Sequence, residues 1–428
     1  MTLTTGTIEQ RVRRGARNDR PSLRVVRGEQ TQARRKQTTR AEATPGAPSR
    51  DALALAAVVA AFCAFGLVMV LSSSSVASIS SYGSPWSVVE RQVLWTVVGG
   101  FAFVVTAKMS LQFWRRVAVP LLVSTAGLLF AVLVPHIGKV AGGSSRWIGF
   151  GLLRVQPSEF AKLAVVLFVA DLVARRKRSG GEPVEVVRPV VIVLAALAIL
   201  IVRQPDLGTA AVVVCIGAVL LYAGGVPLKK VATLAAIFGT LGGAFLLVEP
   251  YGRARIAGFL DPFGHASTSG YQVVQSLVTL GSGHVLGTGL GGSSAAWGFL
   301  PNASNDFIFA IVGNNFGLVG ALGVLLGFLA LGWLGIRVAA RAQDRFASLV
   351  ATGITTWVVV QALINMGGVT GAVPETGIPL PFLSSGGSSL VVLLAATGIL
   401  VRIARHPDEK TRTTLEHDRL RRRAAAGR

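Results

Sequence analysis

Residues 52–71 read ALALAAVVAAFCAFGLVMVL, twenty consecutive residues that carry no charge. A helix needs about 20 apolar residues to span the hydrocarbon core of a bilayer, and comparable runs recur as far as residue 404. The composition agrees, because 51% of the 428 residues are hydrophobic and only 14% are charged. The sequence therefore predicts an all-α polytopic membrane protein. It excludes a soluble enzyme, and also a transmembrane β-barrel, whose strands alternate apolar and polar residues.

Ten apolar segments are long enough to be transmembrane helices, and their basic flanks predict an orientation. With a cytoplasmic N-terminus, the basic clusters at 108–116, 175–178, 229–230 and 337–345 all fall in cytoplasmic loops, as the positive-inside rule requires. The chain then has both termini in the cytoplasm. The ten segments lie near 52–72, 92–109, 117–135, 159–175, 188–203, 207–223, 230–248, 307–336, 347–367 and 387–404.

Three regions follow from this pattern. Residues 1–50 and 406–428 are polar and basic and lack apolar periodicity, so they are predicted to be a disordered cytoplasmic arm and tail flanking a membrane domain at 51–405. Within that domain, the segment at about 249–306, between helices seven and eight, contains aromatic residues such as Phe259, Phe263 and Phe299. It is too apolar for a disordered linker, and we expect a large, structured extracytoplasmic loop.

Ionisable side chains at membrane level are functional candidates by default. Several basic residues stand near the acidic ones on the predicted outer side, so a charged substrate could bind at the level of the lipid headgroups. The acidic candidates are Glu159, Asp206, Glu249, Asp261, Asp306 and Glu375. The basic candidates are Arg146, Lys162, Arg203, Arg253 and Arg255. The histidines show no metal-ligand spacing, and the residues that would bind a metal are left unassigned.

Asp306 is the strongest single candidate, because it stands where the long loop enters helix eight. It could be a helix N-cap, which satisfies free backbone N–H groups. It could also be a general base held at the water–membrane boundary. Two further polar positions are equally open: Glu159 and Lys162 share a helical face and could form only a structural ion pair, and Asp206 could be only a turn residue or cap.

Two segments rich in Gly and Ser flank these residues. The first places Arg146 and Trp147 after Gly142-Gly143-Ser144-Ser145, where Trp147 could be a plain interfacial anchor. The second, residues 379–389, contains Ser388 at the start of helix ten. Backbone N–H groups and hydroxyls at that helix N-terminus could bind an anion such as phosphate, or the segment could be a re-entrant turn without a ligand.

These same motifs resemble the SEDS family (shape, elongation, division and sporulation), which includes FtsW, RodA and SpoVE. The resemblance covers about 52–404 and includes Gly143-Ser144-Ser145-Arg146-Trp147, Gln156-Pro157-Ser158-Glu159, Gln204-Pro205-Asp206, Gly270-Tyr271-Gln272 through Gln275-Ser276, Asn305-Asp306-Phe307, Gln361 with Asn365, and 374–389. Each motif is weak alone, but so many in order on a ten-span frame are specific. The stretch at 310–313 and the basic arm are most like FtsW.

The resemblance implies a peptidoglycan glycosyltransferase of the bacterial cytoplasmic membrane. It would polymerise lipid II, a disaccharide-pentapeptide on undecaprenyl pyrophosphate, at the outer face of that membrane during septal wall synthesis. Asp306 matches the family's catalytic base. The other predicted site residues, Arg146, Glu159, Lys162, Arg203, Asp206, Arg253, Arg255, Gln275 and Ser388, would bind the substrate. The family further implies a divalent cation (Mg²⁺ or Mn²⁺) without an organic cofactor, a class B penicillin-binding protein of the FtsI type as partner, other divisome proteins, and no nucleic acid.

Two alternatives stay open. The chain could be a lipid II flippase, with its charged residues lining a path across the membrane, although these candidates cluster on the outer side. It could also be a scaffold of low activity that activates its penicillin-binding partner. Asn314-Asn315 favours the scaffold, because the family usually has two glutamates there, whose loss could change the pKa or the cation binding of a neighbouring base; Ser385 also replaces a usual tyrosine.

Overall fold

The apolar runs form long helices in the computed structural model, which describes residues 49–405 except 137, 142–143, 151–152 and 293–298. The predicted basic arm and tail, apart from residues 49 and 50, lie outside the described residues. The helices are α1 (Arg50–Tyr82), α2 (Ser87–Lys108), α3 (Leu111–Leu133), α4 (Pro157–Arg178), α5 (Val187–Val202), α6 (Leu207–Gly224), α7 (Leu228–Val248), α8 (Pro250–Leu260), α9 (Tyr271–Ser282), α10 (Ile308–Arg341), α11 (Arg345–Val369) and α12 (Gly387–Ala404).

Nine helices in the described part of the chain are long and apolar enough to cross a membrane: α1, α2, α3, α5 with the turn before it, α6, α7, α10, α11 and α12. The tenth predicted span is α4, which carries Glu159, Lys162 and Asp171. These three side chains are buried inside the molecule, where α4 contacts α3, α6 and α11. The charges therefore face protein rather than lipid, as intramembrane charges do. The prediction of an all-α polytopic membrane protein is confirmed.

Large apolar side chains cover the outer faces of several helices. On α2, Phe101 is 70% exposed, and on α7 Val248 is 75% exposed while only Val231 is buried. Apolar surface of this extent would drive aggregation in water. In a chain with this many membrane-length helices, these faces match the acyl chains of lipid.

The two ends of the helix bundle differ in chemistry. One end, called the basic end, contains the α2–α3, α4–α5, α6–α7 and α10–α11 turns, where ion pairs link Arg115 to Asp344 at 2.8 Å and Arg341 to Asp51 at 2.7 Å. Ser49 Oγ also donates to the carbonyl of Ala404 here, so the start of α1 meets the end of α12. The opposite end is called the hairpin end.

The hairpin end carries a small antiparallel sheet of β1 (Lys139–Ala141), β2 (Ser144–Phe150) and β3 (Leu153–Val155) in that order. Ile148 on β2 pairs with Val155, the last residue of β3. Helix α4 begins two residues later, at Pro157. The α7–α10 segment at this end is structured, as predicted. It forms α8 and α9, and α9 packs on α10 and α11.

Helix α10 is broken at Gly317, which adopts φ 65° and ψ −160°. The segment 283–289 lies against this break. It donates from the N–H groups of Thr288 and Gly289 to Asn314 and Asn315 and accepts, at the carbonyl of His284, from Leu318. Backbone groups freed by the break are thereby paired, as burial at membrane depth requires. The sequence predicted one continuous span at 307–336, so this break is a correction.

Candidate active site

A cavity of about 500 Å³ opens at the hairpin end of the bundle. Its wall combines the β2–β3 hairpin, the start of α4 and α6, α8, α9, the turn before α10 and residues 375–389. Predicted site residues Arg146, Glu159, Arg255 and Asp306 all line it. Arg154, Gln272, Asn365 and Glu375 line it as well.

Asp306 lies in the turn before α10, with one carboxylate oxygen, Oδ1, buried without a hydrogen-bond partner. Burial raises the pKa of this carboxyl to about 6, although the nearby guanidiniums of Arg146 and Arg255 act to lower it. The N-cap position of α10 is Phe307, and no side chain caps this helix. The N-cap alternative for Asp306 is therefore wrong, because its carboxylate does not pair with the helix N-terminus.

The turn that carries Asp306 is fixed from α11 and the 371–386 loop. Asn365 Nδ2 donates to the backbone carbonyl of Asp306 at 2.7 Å and to that of Ile378 at 2.8 Å. Ser384 Oγ donates to the carbonyl of Asn305 at 2.6 Å. These contacts fix the backbone on both sides of the carboxylate, so its position depends little on its own side-chain bonds.

Arg255 and Glu375 stand together beside Asp306. Arg255 Nη1 donates to the carbonyl of Glu375 at 3.0 Å, and its Nε lies 3.8 Å from Glu375 Oε1. Burial raises the pKa of Glu375, against the lowering effect of Arg255. The sequence placed both residues among the charged groups of the outer side, but only Arg255 was selected as a site residue. Their contact was not predicted, because only the approach of the 371–386 loop to α8 brings the two together.

Arg146 and Asp206 belong to one polar network at the turn between α5 and α6. Arg146 Nε donates to the carbonyl of Gln204 at 2.9 Å, and its Nη2 to that of Pro205. Asp206 caps α6 by accepting from Thr209 N at 3.2 Å, and its other oxygen accepts from Gln156 Nε2 at 3.2 Å. Asp206 is thus both a cap and a network residue.

Glu159 and Lys162 form a buried ion pair below the cavity. Lys162 Nζ lies 2.8 Å from Glu159 Oε1 and 2.8 Å from Gln361 Oε1, and the lysine is 0% exposed. Its ammonium lies 5.1 Å from the centre of the Trp357 ring. Glu159 lines the cavity, whereas Lys162 lies behind it. Lys162 can therefore act on a ligand only indirectly, through the residues that it contacts.

Asp206 does not line the cavity, and neither do the four remaining predicted substrate-binding residues. Ser388 is buried, and its hydroxyl accepts from Gln156 N at 3.1 Å. Arg203 ends α5 and is exposed, Arg253 is exposed on α8, and Gln275 is half-buried on α9. Residues two apart on a helix point in nearly opposite directions, so Arg253 cannot share the face that Arg255 turns to the cavity.

The Asn314-Asn315 pair lies at the break in α10 rather than in the cavity wall. Asn314 Nδ2 donates to the carbonyl of Thr279 at 3.2 Å and to Ser282 Oγ at 2.6 Å. Asn315 Nδ2 donates to Ser72 Oγ at 2.8 Å. The expectation that this pair flanks the base is wrong, because the Asn314 side chain binds α9, the Asn315 side chain binds α1, and neither residue lines the cavity.

Comparisons with known proteins agree on one family. The sequence model of the cell cycle proteins FtsW, RodA and SpoVE matches residues 52–409. A probable peptidoglycan glycosyltransferase FtsW of Mycobacterium tuberculosis (strain ATCC 25618 / H37Rv) is 41% identical over 373 residues, which cover 87% of this chain and 71% of that protein. Stage V sporulation protein E of Bacillus subtilis (strain 168) is 37% identical over 343 residues, covering 80% of this chain and 93% of that protein.

Solved structures show the same fold. A chain of a peptidoglycan synthase complex, described for its coordination of polymerization and crosslinking, superposes with a TM-score of 0.68 at 26% identity, over 82% of this chain and 97% of that one. The rod shape determining protein RodA of Thermus thermophilus superposes with a TM-score of 0.61 at 25% identity, over 83% of this chain and 97% of that one.

Proposed function

The chain belongs to the FtsW/RodA/SpoVE family of cell cycle proteins, and we propose that it polymerises lipid II into glycan strands at the outer face of the cytoplasmic membrane during septal wall synthesis. It is a peptidoglycan glycosyltransferase, the activity in the names of its FtsW relatives. The observation that carries the mechanism is the unpartnered, buried Oδ1 of Asp306 on the wall of a polar cavity.

Asp306 is the general base of this reaction. Its carboxylate takes the proton from the 4-hydroxyl of the acceptor sugar while that oxygen attacks the anomeric carbon of the donor. The new glycosidic bond forms as the bond to the undecaprenyl diphosphate breaks, and the proton remains on Asp306. A carboxyl with a pKa of about 6 is mostly ionised at neutral pH and is a stronger base than an ordinary aspartate.

Cations around the cavity suit a donor that carries a diphosphate. The guanidiniums of Arg146, Arg154 and Arg255 reach its wall from β2, β3 and α8. Arginine is the residue best matched to phosphate oxygens, because its planar N–H groups can bind two of them at once. These side chains would bind the leaving diphosphate and stabilise its charge as the bond breaks.

A divalent cation fits this cavity only together with substrate. Among the described residues, no three His, Cys, Asp or Glu side chains cluster as a metal cage. The described part of the cavity wall therefore offers no preformed cation site, and the substrate diphosphate would supply the main ligands. Mg²⁺ commonly takes one or two carboxylates together with substrate phosphates. Bound in that way, the ion would neutralise diphosphate charge.

Partner and location follow from the same membership. One solved relative belongs to a peptidoglycan synthase complex that coordinates polymerization and crosslinking. We propose a class B penicillin-binding protein as the transpeptidase partner of this chain. Other divisome proteins would bring the pair to the division septum. The hairpin end would then face outward, and the basic end, with both termini, would face the cytoplasm.

The cavity geometry favours surface chemistry over the flippase alternative. Below Lys162, α4 is closed by Val165, Val166 and Leu167, none of which is exposed. The charged cluster therefore ends inside the bundle instead of continuing towards the basic end. The scaffold alternative loses its support as well, since Asn314-Asn315 leaves the cavity residues in place.

The proposal is tested by glycan polymerisation from purified lipid II, with the chain co-purified with its class B partner and the transpeptidase blocked. Asp306→Asn should lower the rate about 10²- to 10⁴-fold, the usual contribution of a general base. Asp261→Asn is the matched control, because this exposed aspartate is outside the cavity and its amide oxygen can still accept from Gly264 N. Undiminished turnover in Asp306→Asn would refute the base assignment.

A further inference from the structure

Glu375 is an acidic residue of the cavity that the proposed reaction does not use, and its surroundings are well defined. Its side chain and that of Arg255 are each 15% exposed. Arg255 contacts it twice, with Nη1 donating to the carbonyl at 3.0 Å and Nε lying 3.8 Å from Oε1. Glu375 thus meets the guanidinium at two nitrogens, through one hydrogen bond and one longer ion-pair contact.

A second element fixes the Glu375 carboxylate itself. With its amide nitrogen assigned to face the loop, Gln272 on α9 donates to Glu375 Oε1 at 3.1 Å and to Oε2 at 3.2 Å. The carboxylate is therefore held between α9 on one side and α8, through Arg255, on the other. Such a doubly held side chain has little freedom to turn towards solvent.

The Arg255 guanidinium and the Asp306 carboxylate both approach Gly377, which has φ 66°. A Cβ atom built on Gly377 would lie 3.7 Å from Arg255 Nη2 and 3.7 Å from Asp306 Oδ2. The two charged groups therefore flank the same point of the loop, two residues after Glu375. The backbone that carries Glu375 also fixes the space between Arg255 and Asp306.

We propose that Glu375 is a positioning residue for the general base: it holds Arg255 beside Asp306 while offsetting part of the guanidinium charge. This inference rests on the role of Asp306 in the proposed function. Without Glu375, Arg255 could turn to form a direct ion pair with Asp306, which would occupy the oxygen that must accept the proton and make it less basic.

The charges that act on Asp306 come from four elements. Arg146 on β2 and Arg255 on α8 favour its ionised form, whereas Glu375 in the 371–386 loop and Asp206 at the start of α6 oppose it. When the Glu375 charge is removed, the guanidiniums of Arg146 and Arg255 are opposed only by the carboxylate of Asp206. The pKa of Asp306 should then fall, and removing the Arg255 charge should move it in the opposite direction.

The test measures the titration of the Asp306 carboxyl group and the pH dependence of the polymerisation rate. Infrared difference spectra against pH would titrate its carboxyl group in the purified complex, with Asp306→Asn identifying the band, and polymerisation rates would be measured over the same pH range. In Glu375→Gln, both the titration midpoint and the acidic limb of the rate should move to lower pH by about one unit. Arg255→Gln should move the titration midpoint upward.

Two further variants separate positioning from structure. Glu249→Gln is the charge-matched control, because Glu249 is exposed, lies outside the cavity and should leave the midpoint and the rate unchanged. Glu375→Asp retains the charge and should restore most of the wild-type midpoint. A wild-type midpoint in Glu375→Gln, or downward shifts in both charge-removing variants, would overturn the inference.

The same experiment distinguishes this inference from the proposed function. If Asp306→Asn polymerises normally while Glu375→Gln shifts the infrared midpoint, the electrostatic positioning holds and the base assignment fails. If Asp306→Asn is inactive and the titration midpoint of Asp306 is unchanged in Glu375→Gln, the base assignment holds and the positioning role is refuted.

Discussion

At the scale of single residues, Asp306 shows how a catalytic group can oppose folding. Its Oδ1 is buried without a partner, and an unpaired charged oxygen in such surroundings costs free energy. Because burial raises its pKa from 3.8 to about 6, the folded state binds more protons than the unfolded state between these values. The free energy of unfolding therefore falls as pH rises through this window, and the full penalty applies above pH 6.

Asp306→Asn should accordingly raise the free energy of unfolding at pH 8 by on the order of 1 kcal/mol. The gain should shrink as pH falls from 6 towards 4, because the wild-type carboxyl is then neutral. Thermal unfolding of the detergent-solubilised protein at several pH values would measure it. A lower melting temperature of Asp306→Asn at pH 8 would show that the carboxylate stabilises the fold instead.

Asp306, Arg146 and Arg255 could be selected from the sequence, but the contacts around Asp306 could not. A carboxylate at the boundary of an apolar run is visible in the chain itself. The choice between cap and base was not, because it depends on whether α10 begins at 307 or 308. Glu375 and Gln272 meet only when α9 and the 371–386 loop pack together, and no local pattern encodes that contact.

At the scale of secondary structure elements, the buried pair Glu159–Lys162 links α4 to Gln361 on α11. Replacing one partner leaves the other as an uncompensated buried charge, which costs about 3–5 kcal/mol. Glu159→Gln and Lys162→Met should each lower the melting temperature strongly, whereas the double variant, which has neither charge, should be less destabilised than the sum of the two. Unfolding measurements on all three would test this; strict additivity would argue against a coupled pair.

The break in α10 makes a second prediction at this scale. A Cβ atom at Gly317 would collide with the carbonyl of Val285, and the backbone there has a positive φ. Gly317→Ala should therefore displace segment 283–289 and sharply reduce the yield of folded protein. Gly323→Ala, on the same helix with open space around its Cβ position, is the control. Equal yields and melting temperatures for the two variants would contradict this account.

The sequence predicted the helices correctly where the length of an apolar run is enough to identify a membrane span. The polytopic helical fold is confirmed, and nine of the ten predicted spans are membrane-length apolar helices in the described part of the chain. The tenth, α4, is also a helix, with three of its charged side chains buried. The break at Gly317 was missed because apolar residues continue on both sides of it. Segment 283–289 supplies hydrogen-bond partners for the backbone groups that the break leaves free, so helix α10 can be interrupted inside the bundle.

At the scale of the whole molecule, the predicted orientation places the hairpin end outside the cell. Replace Cys63 and Cys215 with alanine, and introduce Ser267→Cys at the hairpin end or Lys177→Cys at the basic end; both positions are exposed. A membrane-impermeant thiol reagent should label only Ser267→Cys in intact spheroplasts. Lys177→Cys should react only after the membrane is permeabilised. The opposite pattern would place the cavity in the cytoplasm and exclude it as an outer-leaflet site.

The contact between Ser49 and Ala404 has a consequence for how the chain is threaded. The start of α1 lies beside the end of α12. The packing of the helices therefore does not require the chain termini to be at these two points. A short peptide joining 404 to 49, with the cut moved to the Gly180-Gly181 turn, would keep every helix in place with both new ends on the same face. The same arrangement of helices should therefore form from a circularly permuted chain.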